Sequence, residues 1–127
     1  MVDIAVMAII YFMFIYSLIH SIGEKILARS IDNVTLLYSD IVGFTSICST
    51  AQPIEIVEML KRLYTDFDNA CGMLDVYKLE TIGDAYIVAG GLHKPSKYHA
   101  QRIAWMSLMM MESANKNFTH KGDRIKV

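Results

Sequence analysis

Hydrophobic and polar positions divide the chain into short segments of different period. Residues 34–39 form an apolar run rich in β-forming side chains, followed by Asp40 and the turn-forming Gly43, which predicts a strand that ends in a loop. Because Leu36, Leu37 and Tyr38 are consecutive apolar residues, this strand is expected to be central and covered on both faces. Thr45 is expected to cap a short helical turn through Ser49.

Two helical segments and a hairpin follow. Apolar residues recur at helical spacing after Pro53, a favourable first residue, and Gly72 is expected to end that helix. Residues 75–81 and 85–89 read as strands joined by the Gly83-Asp84 turn, and a further helix is predicted over residues 96–117. The predicted elements are therefore strands and helices in mixed order within one α+β domain.

A last strand is predicted to begin at Ile125-Lys126-Val127, where the sequence stops. The order is then βαββαβ, cut short at the fourth strand, which is the ferredoxin-like arrangement. Boundaries are expected at three places: a hydrophobic helix over residues 1–23, a polar linker over 24–33 and the domain over 34–127.

The helix over residues 96–117 carries more apolar positions than one sheet face would cover. Beyond its inner stripe it contains Trp105, Met106, Met109 and Met110. Two interpretations remain open. The helix is buried on most sides, which is the one we favour, or part of it is a surface for a partner.

Composition narrows the class of protein. The chain has 127 residues, enough for one domain, and its net charge of −1 gives no basic field for nucleic acid. Cys48 and Cys71 form no CxxC motif, so they read as reduced, mostly buried thiols of a cytosolic domain.

Much of the apolar content lies at the N-terminus. Residues 4–22 carry no Asp, Glu, Lys or Arg, and this run approaches the ~20 residues of a membrane helix. Lys25 and Arg29 follow it, so the positive-inside rule would place the rest of the chain in the cytosol. The alternatives are a helix docked on the domain and a stretch that is not native to it.

Asp40 and Asp84 are the candidates for chemistry. In the predicted topology the first and third strands are antiparallel neighbours, so the residue after one strand lies near the residue before the other. Two adjacent carboxylates repel unless a cation neutralises them or one is protonated, and Mg²⁺ is held by one or two carboxylates together with substrate phosphates. The alternative is that each Asp is only a turn residue or a helix cap.

Two long motifs carry a resemblance. The segments VTLLYSDIVGFTSICS (34–49) and LDVYKLETIGDAYIVAGGLH (74–93) resemble the class III nucleotidyl cyclase catalytic domain, and within that family the alpha-type chains of soluble guanylate cyclases. The similarity covers residues 34–127, in the same order and at the same separation. It implies an enzyme that converts GTP to 3′,5′-cyclic GMP and pyrophosphate.

The family's mechanism implies roles for these residues. Two Mg²⁺ or Mn²⁺ ions per site lie between two aspartates and the triphosphate. By resemblance, Asp40 and Asp84 are the catalytic metal ligands, and the Ile41 carbonyl is a further metal contact. Nucleotide-binding positions follow from the same comparison: Gly43, Phe44, Thr45 and Gly83.

Glu80 corresponds to the position that selects the base. Its carboxylate can accept hydrogen bonds from guanine N1–H and the 2-amino group, whereas adenylate-type members carry Lys there, so Glu80 favours GTP. In a soluble heterodimer the guanine contact resembles the glutamate of the beta partner, and Glu80 of this chain would then face a second, non-catalytic pocket. Without the resemblance, Glu80 reads as an exposed residue at a strand end.

The family's active site lies at a dimer interface, so the resemblance implies a beta-type subunit or a second cyclase chain as partner. The remaining base contact, an Asn for the ribose and an Arg for the transition state come from the half of the domain after the fourth strand, and the sequence ends at Val127. We therefore expect a partial chain that is marginally stable unless a partner supplies a strand. Two hypotheses follow: a half-site of a guanylate cyclase, or a catalytically incomplete fragment that binds or modulates a cyclase partner.

Overall fold

The computed structural model describes residues 30–127, and this part of the chain is an α+β unit, as predicted. The hydrophobic segment over residues 4–22 and the boundary at residue 23 lie outside the described residues. Among residues 30–127, no helix combines the length and the apolar composition that crossing a membrane requires. The elements in chain order are β1 (Thr35–Ser39), α1 (Phe44–Thr50), α2 (Pro53–Leu74), β2 (Tyr77–Ile82), β3 (Ala85–Gly90) and α3 (His99–Lys116).

The three strands form one antiparallel sheet in the order β1-β3-β2. The register between β1 and β3 pairs Leu37 with Val88 and Ser39 with Tyr86. The β2–β3 hairpin closes through a two-residue turn, because Ile82 pairs with Ala85. This arrangement places the residue after β1 beside the β2–β3 turn, as the sequence predicts.

The core lies between one face of the sheet and the long helices α2 and α3. Tyr86 and Val88 of β3 contribute buried side chains to it, together with Leu37 of β1. The main helical contributions are Met59, Leu63, Phe67, Ile103, Met106 and Met110. Since α2 and α3 also pack on each other, they cover this one face.

The prediction that β1 is a central strand covered on both faces is wrong for the described residues, where β1 lies at the edge of the three-stranded sheet. Leu37 packs against the core, but Leu36 is 49% exposed and Tyr38 is 67% exposed. Side chains alternate along a strand, so these two lie on the sheet face opposite α2 and α3. Three consecutive apolar residues indicate two apolar faces and do not establish what covers the second.

The long helix α2 was predicted to end at Gly72, but it continues to Leu74. Its C-cap is Asp75, which adopts the left-handed conformation with φ of 52°. Asp tolerates this region better than most residues. The Asp75 carboxylate also accepts hydrogen bonds from Arg102 at 3.0 Å and His93 at 3.1 Å, which hold the corner in place.

Two smaller predictions also need correction. The N-cap of α1 is Gly43, with φ of 71°, rather than Thr45, and α1 begins at Phe44. Residues 125–127 contain no strand in the described chain. The Lys126 carbonyl accepts one backbone hydrogen bond from the Val42 amide at 2.9 Å, and one bond does not make a strand ladder.

The helix α3 begins three residues later than predicted, at His99. Met106 and Met110 are almost completely buried in the core, which agrees with the interpretation we favoured for most of this helix. Trp105 is 62% exposed, and Leu108 and Met111 are exposed beside it. The outer face of α3 therefore carries an apolar stripe of its own.

Candidate active site

The Ile41 amide links the two aspartates. It donates one hydrogen bond to Asp40 Oδ1 and one to Asp84 Oδ2, each 3.2 Å long. Asp40 directly follows β1, and Asp84 is the second residue of the β2–β3 turn. The antiparallel register of β1 and β3, anchored by the Ser39–Tyr86 pair, brings these positions together.

The electrostatics of the pair favour a bound cation. Burial raises the pKa of Asp84 above its ordinary value, and the neighbouring Asp40 carboxyl raises it further. The Ile41 amide acts in the opposite direction, because it donates to the carboxylate. The negative charge of Asp84 is therefore disfavoured in the chain alone, and a positive ion would reverse this effect.

The donor set fits a hard divalent cation. Carboxylate and carbonyl oxygens are the ligands of Mg²⁺ and Mn²⁺. The described residues hold no cluster of three or more His, Cys, Asp or Glu side chains, so the protein's side chains offer only the carboxylate pair here. The Ile41 carbonyl already accepts a bond from the Phe44 amide at 3.2 Å, and its second lone pair remains for a metal.

A turn with open space above it lies next to the carboxylates. Gly43 has φ of 71°, and a Cβ atom built there would meet no atom within 4 Å. The same holds for Gly83, with φ of 61°. Phe44 and Thr45 begin α1, and the first amides of a helix have no acceptor within the helix. Both glycine turns therefore leave room for a ligand beside the two carboxylates.

Tyr64 is a site residue that the sequence analysis missed. Its hydroxyl donates to the Gly83 carbonyl, with an oxygen–oxygen distance of 3.3 Å. Burial raises the pKa of Tyr64 to about 12, and the charges of Asp84 and Asp40 contribute to the rise. The only local signal was a tyrosine next to the apolar stripe of α2, between Leu63 and Phe67. Its contact with Gly83 depends on the tertiary fold.

Glu80 lies on the sheet face opposite the helices. It pairs with Ile87 of β3, beyond an irregularity in β2 between Lys78 and Glu80. Its side chain is exposed, and it forms no hydrogen bond or ion pair with any residue of the described chain. The carboxylate is therefore available to a ligand, and it does not join the Asp40–Asp84 pair.

A second polar cluster connects β3, the strand that follows Asp84, to α2 and β2. The Tyr86 hydroxyl donates to the Asp68 carboxylate, and Lys78 also donates to it at 2.8 Å. Burial alone would raise the pKa of Asp68, but these hydrogen bonds and the charge of Lys78 lower it overall. The cluster joins α2, β2 and β3 behind the Asp84 turn, and it has a structural role.

Comparisons with known proteins agree with this architecture. Residues 26–127 match the family model of the adenylate and guanylate cyclase catalytic domain. The chain is 55% identical over 105 residues to the alpha-1 subunit of soluble guanylate cyclase from Canis lupus familiaris. The match covers 83% of this chain and 15% of that subunit, so the chain spans a small part of that relative's length.

Solved structures show the same fold. The dimeric guanylyl cyclase domain of the RhoGC fusion protein from Blastocladiella emersonii aligns with a TM-score of 0.72 and 32% identity, over 77% of this chain and 55% of that one. The guanylate cyclase domain of RhGC from Catenaria anguillulae, solved in complex with GTP, aligns with a TM-score of 0.68 and 34% identity. That alignment covers 72% of this chain and 50% of the other.

Proposed function

Because the chain belongs to the adenylate and guanylate cyclase catalytic domain family, we propose that it supplies the metal-binding half of a guanylate cyclase site. The reaction converts GTP to 3′,5′-cyclic GMP and pyrophosphate. The observation that carries the proposal is the Ile41 amide shared by Asp40 and Asp84, because it brings two carboxylates to one point at the end of the sheet.

Asp40 and Asp84 would hold the divalent cations, Mg²⁺ or Mn²⁺ and two per site, with help from the Ile41 carbonyl. Bound there, the cations would favour deprotonation of the ribose 3′-hydroxyl and neutralise charge on the leaving pyrophosphate. The two aspartates would hold the ions in fixed positions. The bound GTP would then have its 3′-oxygen in line with the α-phosphorus that it attacks.

The two glycine turns would receive the triphosphate. The Gly43 and Thr45 amides would donate to phosphate oxygens, and the Phe44 amide, which donates to the Ile41 carbonyl at 3.2 Å, would hold the turn between them. Positive φ at Gly43 and Gly83 would let the backbone approach the phosphates closely. A bulkier residue at either glycine would have to adopt a left-handed conformation. We therefore assign these residues to phosphate binding.

Glu80 would select guanine over adenine. Its carboxylate is a pure acceptor, and guanine presents two adjacent donors, N1–H and the 2-amino group, whereas adenine has neither. Glu80 is exposed in the described chain, and a bound base together with the partner would bury its carboxylate. Adenine would then leave the carboxylate unpaired, which is how polar sites discriminate between similar ligands. The alternative assignment is the second, non-catalytic pocket of a heterodimer.

A second cyclase chain, of the beta type or another copy, would complete the site. The sheet face that carries Glu80 also carries Leu36, Tyr38 and Tyr77, which are 49%, 67% and 47% exposed. Apolar surface of this kind next to a site commonly marks a protein interface. We also propose that the sheet follows the ferredoxin-like arrangement, in which a fourth strand would pair with β1.

We also propose that the catalytic part lies in the cytosol. This follows from the positive residues Lys25 and Arg29 after residues 4–22, if that segment crosses a membrane.

The test is cyclic GMP formation from Mg²⁺-GTP by the chain alone and mixed with a beta-type cyclase subunit. We expect activity in the mixture that Asp84→Ala abolishes, and a Glu80→Lys variant that shifts preference toward ATP. A chain that binds the subunit yet gives no activity, or inhibits it, would instead be a modulator that occupies the cyclase interface.

A further inference from the structure

We propose that Tyr64 is a positioning residue of the candidate site. Its hydroxyl anchors the Gly83 carbonyl and thereby holds Asp84 where it meets Asp40. This inference rests on the proposed function, because it assigns a role within the same cation site. Tyr64 does not touch the reacting atoms in this account, and it acts through the turn.

The anchored carbonyl lies next to a proposed metal ligand. Gly83 and Asp84 form a two-residue turn, so the Gly83 carbonyl belongs to the peptide that leads directly into Asp84. Gly83 has φ of 61°, and glycine has broad conformational freedom. The Tyr64 hydroxyl contacts the Gly83 carbonyl at 3.3 Å and therefore restricts the direction of this carbonyl in addition to the Ile82–Ala85 pairing of the hairpin.

The Tyr64 ring packs against two other aromatic rings. Its centroid lies 5.2 Å from that of Tyr86 and 6.1 Å from that of Phe67. Phe67 and Tyr86 are almost completely buried, and their own rings pack edge to face. The ring of Tyr64 thus lies against the core, with its hydroxyl directed at the turn.

The Tyr64 hydroxyl remains a hydrogen-bond donor at physiological pH. Burial and the charges of Asp84 and Asp40 raise the pKa of Tyr64 to about 12. The hydroxyl therefore keeps its proton and remains a donor throughout the physiological range. It can stay bonded to the Gly83 carbonyl whether or not a cation is bound to the carboxylates.

The test compares two matched tyrosine variants of the full chain. Tyr64→Phe keeps the ring and removes the donor. Tyr98→Phe is the control, because Tyr98 is 51% exposed, precedes α3 away from the open sheet face, and its hydroxyl forms no hydrogen bond within the described residues. Mn²⁺ affinity is measured by the electron paramagnetic resonance signal of the free ion, and amide hydrogen exchange is followed at Gly83, Asp84 and Val88.

We expect Tyr64→Phe to weaken Mn²⁺ binding by about tenfold, the lower end of the effect of losing a group that orients a metal ligand. Exchange at Gly83 and Asp84 should become faster while exchange at Val88, in the buried centre of β3, stays unchanged. Tyr98→Phe should match the wild type in both measurements. In an active mixture, excess Mg²⁺ should restore the rate of Tyr64→Phe.

Wild-type Mn²⁺ affinity in Tyr64→Phe would overturn the proposal, and so would faster exchange that extends equally to Val88. If the wild-type chain binds no Mn²⁺ at all, the proposed function fails instead. The exchange measurement then decides the anchor by itself: faster exchange confined to the turn supports it, and unchanged exchange overturns it.

Discussion

Asp40 and Asp84 illustrate how a single pair of residues can favour function at the expense of stability. The two carboxylates share the Ile41 amide, and burial together with Asp40 raises the pKa of Asp84. The folded chain therefore binds a proton at Asp84 more tightly than the unfolded chain does. Without a cation, the negative charge of Asp84 opposes folding.

Replacing Asp84 with Asn should show how much the charge of Asp84 lowers the free energy of unfolding. As the pH rises from about 4 through the raised pKa of Asp84, the wild type should lose free energy of unfolding relative to Asp84→Asn, because the amide carries no charge. Urea unfolding of both chains at several pH values, without divalent ions, measures the difference. A difference that does not change with pH would contradict this electrostatic account.

Adding Mg²⁺ should reverse the order of stability. At about 100 times its dissociation constant, a ligand of the folded state stabilises it by about 2.7 kcal/mol. The wild type should gain this amount, whereas Asp84→Asn should gain much less. Equal gains in the two chains would place the bound ion elsewhere.

Local patterns predicted most of the elements, because strands and amphipathic helices depend on short-range periodicity. The sequence analysis found the hairpin turn at Gly83-Asp84 and placed α2 and α3 to within a few residues. The predicted end of α2 was wrong. Glycine is a common C-terminal signal, which favoured Gly72, but the C-cap is Asp75 because Arg102 and His93, which are distant in sequence, bind its carboxylate.

Features that depend on distant packing could not be predicted in the same way. The open face of β1 depends on which elements cover the sheet, and three consecutive apolar residues do not give that information. The contact between Tyr64 and Gly83 joins α2 to the hairpin turn, so no local pattern indicates it. The proximity of Asp40 and Asp84 was predictable because it follows from strand topology alone.

The two glycines Gly83 and Gly72 provide a test at the level of elements. Gly83 has φ of 61°, where an L-residue costs about 1–2 kcal/mol, so Gly83→Ala should destabilise the chain by about that amount. Gly72 lies within α2 with open space at its Cβ position, so Gly72→Ala should stabilise by about 0.5–1 kcal/mol. Chemical denaturation measures both, and changes of the same sign would contradict the assigned backbone conformations.

At the scale of the whole molecule, two of the exposed apolar surfaces among residues 30–127 could receive a partner. The first includes Leu36 and Tyr38 on the open sheet face, beside Glu80, and the second is the outer stripe of α3 around Trp105. Only the first adjoins the proposed site. We therefore assign the cyclase partner to the open sheet face.

Tyr38→Ser should weaken binding of a beta-type subunit at least tenfold, with little effect on stability, because Tyr38 is 67% exposed in the chain. Trp105→Ser is the matched control, with a similarly exposed aromatic residue on α3, and should bind as the wild type does. Calorimetric titration of the subunit measures both affinities. A loss in Trp105→Ser alone would move the partner to the outer face of α3.

Asp40 and Asp84 are proposed to bind divalent ions together, and the function of the chain depends on this binding. Titration of the chain with Mn²⁺, followed by the resonance signal of the free ion, measures this without a partner or turnover. We predict that Asp40→Asn and Asp84→Asn each weaken binding at least tenfold, whereas Glu80→Gln leaves it unchanged. Wild-type Mn²⁺ affinity in both aspartate variants would contradict the account.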